Sequence, residues 1–102
     1  MANSLASKGS ILVGSKTVTA AGTAEALLTT GRTVWPWIKI KAKNGNTGQV
    51  YIGGSDVDSN THEGLDANDE VIFFSRYGFE LSDIYIDVDT NDEGVDLYAW
   101  VS

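Results

Sequence analysis

Apolar and polar residues alternate along most of this chain. The clearest stretch is residues 34–43, VWPWIKIKAK. Val34, Pro36, Ile38, Ile40 and Ala42 fall on one side, and Trp35, Trp37, Lys39, Lys41 and Lys43 on the other. A period of two predicts a half-buried strand. Pro36 has no N–H to give to a ladder, which puts its end at an edge or a bulge. Residues 44–48, NGNTG, read as a turn, and 49–52 as a strand with Val50 and Ile52 alternating against Gln49 and Tyr51. Together these predict a hairpin. Residues 83–88 place Ile84, Ile86 and Val88 inward and Tyr85 and Asp87 outward. After a turn at 89–94, residues 95–101 return with Val95, Leu97, Ala99 and Val101 on one face and Asp96, Tyr98 and Trp100 on the other.

Weaker signals fill the rest. Residues 11–13 and 16–20 read as short extended pieces around Gly14, and 23–28 as a strand or one helical turn. Residues 53–69 form a long polar loop pinned by Val57 and Leu65. Residues 70–74 are a short apolar strand, and 75–82 a connection holding Tyr77 and Phe79. No segment has a helical period and no repeat is visible. The expectation is an all-β, antiparallel β-sandwich or jelly-roll of about seven to eight short strands, with a small barrel as the other closed solution. Residues 1–10 are read as a flexible N-terminal arm that could order on a partner. Residues 11–102 are read as a single β-sandwich domain.

Charge narrows the partners. Seven Lys and Arg stand against 14 Asp and Glu, a formal net charge of −7. Such a chain repels phosphates, so nucleic-acid binding is not expected. There is no cysteine, which removes disulfides, thiolate metal sites and a cysteine nucleophile. The first ten residues carry neither a basic leader nor a signal-length apolar run, so secretion by that route is not expected. Runs such as Ile11-Leu12-Val13 are far too short to span a bilayer.

Candidate chemistry is sparse. His62 is the only histidine and lies in a polar loop. No serine sits between a strand and a helix as a nucleophile elbow, and no glycine loop precedes a helix to cradle phosphate. The expectation is a non-enzymatic protein with no catalytic residues and no cofactor. Two acidic stretches, 56–60 and 87–93, begin like calcium loops, with oxygens at alternate positions. Both depart from the pattern. Thr61 and Asp92 stand where glycine is needed, and Ala67 and Tyr98 where a bidentate glutamate is needed. They read as acidic turns and not as metal sites.

The aromatic residues carry the sharper signal. Trp35, Trp37, Tyr51, Tyr85, Tyr98 and Trp100 all fall on the polar-alternating sides of their strands, opposite faces that are already aliphatic. An exposed aromatic surface of this kind marks an interface. A one-residue slip in register, or cover from a loop or the arm, would hide the same rings. Lys39, Lys41 and Lys43 form a basic stripe on that side. It could meet acidic loops of a neighbouring copy, such as Asp87 and Asp89, or simply guard a strand edge.

Several segments, taken in order, resemble the small structural proteins encoded in the virion gene clusters of tailed bacteriophages. They are residues 44–57, NGNTGQVYIGGSDV, then Gly64-Leu65, then 81–87, LSDIYID, then 91–95, NDEGV. The likeness covers roughly residues 16–98 and holds turn-and-strand patterns without a catalytic signature. Trp35, Trp37 and the His62-Glu63 stretch depart from it. The resemblance implies a virion component, above all a head decoration or cement protein that sits on the capsid surface after assembly in the host cytoplasm. It implies a homo-oligomer, a dimer or trimer, that staples the major capsid protein or another virion protein. Tail, baseplate or head-fibre adaptors fit the same resemblance, and a carbohydrate-binding β-sandwich fits the exposed tryptophans. The interface is expected at Trp35, Trp37, Lys39, Tyr85, Tyr98 and Trp100, with Leu5 from the arm.

Overall fold

The computed structural model describes residues 10–29, 31–60 and 64–101. The arm, with Leu5, and the 61–63 segment, with Thr61 and His62, lie outside the described residues except for Ser10. The described strands are β1 (Ser10–Val18), β2 (Glu25–Ala26), β3 (Thr33–Val34), β4 (Trp37–Ala42), β5 (Val50–Gly53), β6 (Glu70–Phe74), β7 (Phe79–Glu80), β8 (Tyr85–Val88) and β9 (Glu93–Val101), with one 3₁₀ turn at Leu81–Asp83. The chain is all-β and every pairing is antiparallel. Four strands form one sheet in the order β1-β9-β4-β6. Three form a second, β2-β8-β5, and β3 pairs with β7 as a small third piece. The arrangement is sandwich-like; these sheets do not define a jelly-roll.

The core lies between the sheets, built from the inward faces that the alternation marks. The larger sheet contributes Val18, Ile38, Ile40, Ala42, Val95, Leu97 and Ala99. Leu27, Val50, Ile86 and Val88 come from the smaller sheet and the residues beside it, with Val34 and Leu81 closing one end. Register explains the choice. Leu12 and Ile38 flank Ala99, and Gly14 and Ile40 flank Leu97, so each large side chain has a small or complementary neighbour.

Three sequence expectations are corrected. Residues 10–18 are one strand that runs through Gly14, because Leu97 of β9 covers the site of the missing side chain. The stretch 34–43 is two strands, broken at the cis Trp35–Pro36 bond. There the Trp35 N–H donates to the Trp100 carbonyl (3.0 Å) and the Pro36 carbonyl accepts from Ser75 N–H (2.8 Å). The expected hairpin of 34–52 is absent. Strand β4 pairs with β6 and β9, whereas β5 pairs with β8 in the other sheet. The 44–48 turn therefore crosses between layers, as does the 89–92 turn between β8 and β9.

The two crossings are tied to each other. Glu93 accepts the N–H groups of Thr47 (2.8 Å) and Gly48 (3.0 Å), and the Asn46 amide donates to the Gly94 carbonyl (2.8 Å). Asp87 points outward on β8 as expected, yet it is only 2% exposed. The turn at Ala20–Thr23, which Gly22 allows by taking a φ of 90°, folds over it and donates the Gly22 N–H to its carboxylate (3.0 Å).

Candidate protein-binding face

The outward side of the four-stranded sheet has no second layer among the described residues. Antiparallel partners share a face, so the register reads the surface row by row. At one end Ile11 stands opposite Trp100, and Trp37 opposite Phe74. The next row runs Val13, Tyr98, Lys39, Ile72. The third runs Ser15, Asp96, Lys41, Glu70. Two rows are thus apolar except for one lysine, and the third is polar. Ile11 is 51% exposed, Val13 63%, Ile72 48% and Phe74 74%, with the rings of Trp37, Tyr98 and Trp100 half-buried between them.

Four of the five described charged groups on this face are matched in pairs, Lys41 being the fifth. Lys39 pairs with Glu70 (3.0 Å) and lies over the Tyr98 ring, 5.7 Å from its centre. Lys43, just beyond the end of β4, pairs with Asp96 (2.8 Å). These pairs are partly solvated and worth little as stability. Their effect is to leave the apolar rows without a strong field of either sign. The basic stripe does not guard an edge, since β4 is interior to its sheet. Of the two acids that could meet it, Asp87 is buried, whereas Asp89 is exposed but already engaged within its own turn. Asp89 accepts the Tyr51 hydroxyl (3.0 Å) and the Gln49 N–H (3.1 Å).

The structure divides the residues expected at the interface. Trp37, Lys39, Tyr98 and Trp100 come together on this face. Trp35 stands at its end, nearly half exposed, with its indole N–H donating to the Arg76 carbonyl (2.6 Å). Tyr85 lies elsewhere. It belongs to the smaller sheet and lines a surface cleft of about 510 Å³ with Lys16, Glu25, Leu28 and Ser82, among others. The two charges of that cleft are joined to each other at 2.9 Å. Tyr51 is outward in the strand but only 5% exposed, and burial together with Asp89 pushes its phenol above the usual range.

Sequence reasoning missed Ile11, Val13, Ile72 and Phe74. The signal was there. Ile11-Leu12-Val13 and Val71-Ile72-Phe73-Phe74 are continuous apolar runs, and a strand apolar on both sides reads as one buried on both sides. Both runs lie in the outermost strands of the sheet, so the second apolar side faces outward instead.

The acidic stretches serve as clamps. Asp87 accepts the N–H groups of Gly22 and Val88, Asn91 that of Ala21 (2.8 Å), and Asp58 that of Asn60 (2.9 Å). Glu93 is held below the usual carboxylate range by the Gly48 and Thr47 N–H groups, and Glu80 by the Arg32 N–H and then the Thr33 and Ser82 groups. Glu25 is lowered first by Lys16 and then by the Thr19 N–H. Among the described residues no three acidic or histidine side chains converge as metal ligands.

No protein family, curated protein or solved structure matches this chain.

Proposed function

We propose that this chain is a non-enzymatic structural protein of a phage virion that docks through the outward face of its four-stranded sheet. The setting follows from the turn-and-strand resemblance, and the docking mode from the face. The reading is a head decoration protein that stabilises the shell by contacts with the major capsid protein. The observation that carries it is the pair of largely apolar rows, Ile11-Trp100 with Trp37-Phe74 and Val13-Tyr98-Lys39-Ile72, on a sheet face with no second layer among the described residues. Aromatic anchors in a flat apolar field are the groups that supply binding energy at protein interfaces. Contacts repeated by symmetry over a shell convert a modest single affinity into firm attachment. Aliphatic Ile11, Val13 and Ile72, at the ends of the rows beside the rings, favour a protein partner over a sugar, whose stacking needs polar groups beside the ring.

The test is co-sedimentation of the purified chain with expanded, decoration-free shells of the phage that encodes it. Saturable binding at a fixed symmetric copy number, lost in Trp37→Ala and Phe74→Ser, is the expected result. No binding to shells would remove the decoration reading and leave a tail or fibre component.

A further inference from the structure

We infer that β1 is a seam on which a second copy of this chain adds, joining two four-stranded sheets into one continuous eight-stranded sheet. The inference extends the docking reading, by naming how the face is presented, and it rests on separate observations at the strand edge.

Strand β1 is the outermost strand of its sheet, paired with β9 on one side and with no described strand on the other. Its nine residues extend about 30 Å at the usual rise per residue. Every one of them has a partner in β9, from Ser10 opposite Val101 to Val18 opposite Glu93, so no bulge bends the edge away. It holds no proline. Its single charge, Lys16, is turned to the core side and held by Glu25 at 2.9 Å. Natural sheets blunt their edges with charge, proline, bulges or shortness, and β1 has none of these on its open side. The opposite edge, β6, has five residues and opens on Asp69-Glu70.

Charge favours a second copy at this edge above any other surface. All 14 carboxylates lie from Glu25 onward, and the first 24 residues carry two lysines and no acid. Two chains of net charge −7 repel across most of their surfaces. Along β1 they meet with least cost. The edge is also self-complementary. A two-fold axis perpendicular to the sheet pairs β1 with its copy antiparallel and keeps both cores on the same side. Ile11 and Val13 of each copy, both more than half exposed, then come to the seam on the outward face. There β-branched cross-strand neighbours stabilise one another.

Area points the same way. Four strands at their usual spacing, over two apolar rows or about four residues along each strand, give a footprint of roughly 250 Å². A stable interface needs about 800 Å² from each partner. Two copies joined at β1 double the apolar footprint and present it as one surface.

The test is the mass of the full chain by light scattering at tens of micromolar, for the native protein and for Val13→Glu, Ser15→Asp and Phe74→Ser. Circular dichroism and thermal melts show that each variant is folded. A native mass of twice 10.9 kDa, halved by Val13→Glu and by Ser15→Asp but kept in Phe74→Ser, is the expected result. Either edge variant serves if the other fails to fold. A monomeric native protein overturns the inference, as does a dimer that survives both edge substitutions. A dimer lost in Phe74→Ser overturns it too, because the copies then meet through their faces. A dimer with the expected pattern that does not bind shells leaves the seam intact and removes the docking reading alone.

Discussion

Glu93 holds Thr47 twice: one carboxylate oxygen accepts both its backbone N–H (2.8 Å) and its hydroxyl (2.9 Å), while the other reaches Gly48 N–H (3.0 Å). This clasp joins the two turns that cross between the layers. The carboxylate acts only when ionised. Its folded pKa lies below its unfolded value, as do those of Glu25 and Glu80, so the stabilisation is present above the unfolded carboxylate pKa and is lost as pH falls through the folded one. The thermal midpoint is expected to stay level near neutrality and to fall below about pH 4.5. Glu93→Gln should lower it at neutral pH and flatten the acid limb. An acid limb identical to that of the native protein would show that Glu93 is not part of it.

Tyr51 carries the opposite shift. Burial first, then the hydrogen bond to Asp89, favours the neutral phenol, so its contribution is present at neutral pH and is lost as pH rises through the folded pKa. In a spectrophotometric titration of the four tyrosines, one should ionise after the others, above the usual value of about 10. Tyr51→Phe should remove that late component and cost about 1.5 kcal/mol, the worth of a hydrogen bond to a charged acceptor. Four tyrosines titrating together would contradict the buried placement.

The two sides of β4 and β6 should respond very differently to substitution. Ile40 is fully buried between the sheets, and Ile40→Ala is expected to cost about 3 kcal/mol through lost contacts and the cavity left behind. Phe74, mostly exposed, should tolerate Phe74→Ser within about 0.5 kcal/mol. Chemical denaturation measures both. A large loss at Phe74 would mean that the outward face is covered within the chain.

Gly94 admits no side chain. A Cβ there would lie 1.9 Å from the Lys16 carbonyl oxygen and 2.7 Å from the Thr17 Cα. Both are backbone atoms of a paired strand and cannot swing aside. Gly94→Ala should therefore destabilise by about 3 kcal/mol or more, with β1 and β9 forced apart. Gly45→Ala, where nothing lies within 4 Å, is the matched control.

Much of this was legible in the sequence. Period-two alternation marked Ile38, Ile40, Leu97 and Ala99 as core, and placed Trp37, Tyr98 and Trp100 together on the outward side. Alternation assigns a residue to a face, however, and not a strand to its partner. That is why the 34–52 hairpin was expected where the turn in fact crosses between layers: NGNTG has the residues of a turn, while its direction is set by Glu93, over forty residues away. Asp87 and Tyr51 were read as exposed because the turns that cover them come from distant segments. The outward positions of β1 and β6 were missed because a doubly apolar run looks central until the strand order shows it at the rim.

The full-length pairing of β1 with β9 has a consequence for how the chain is made. The larger sheet is closed by joining residues 10–18 to residues 93–101, so its first strand waits, unpaired on that side, while some eighty residues are synthesised. Strand β4, too, obtains one of its two neighbours only then. Contacts of such sequence separation form late and slowly. Until residues 93–101 emerge from the ribosome, only the β4–β6 pair of the main sheet can form.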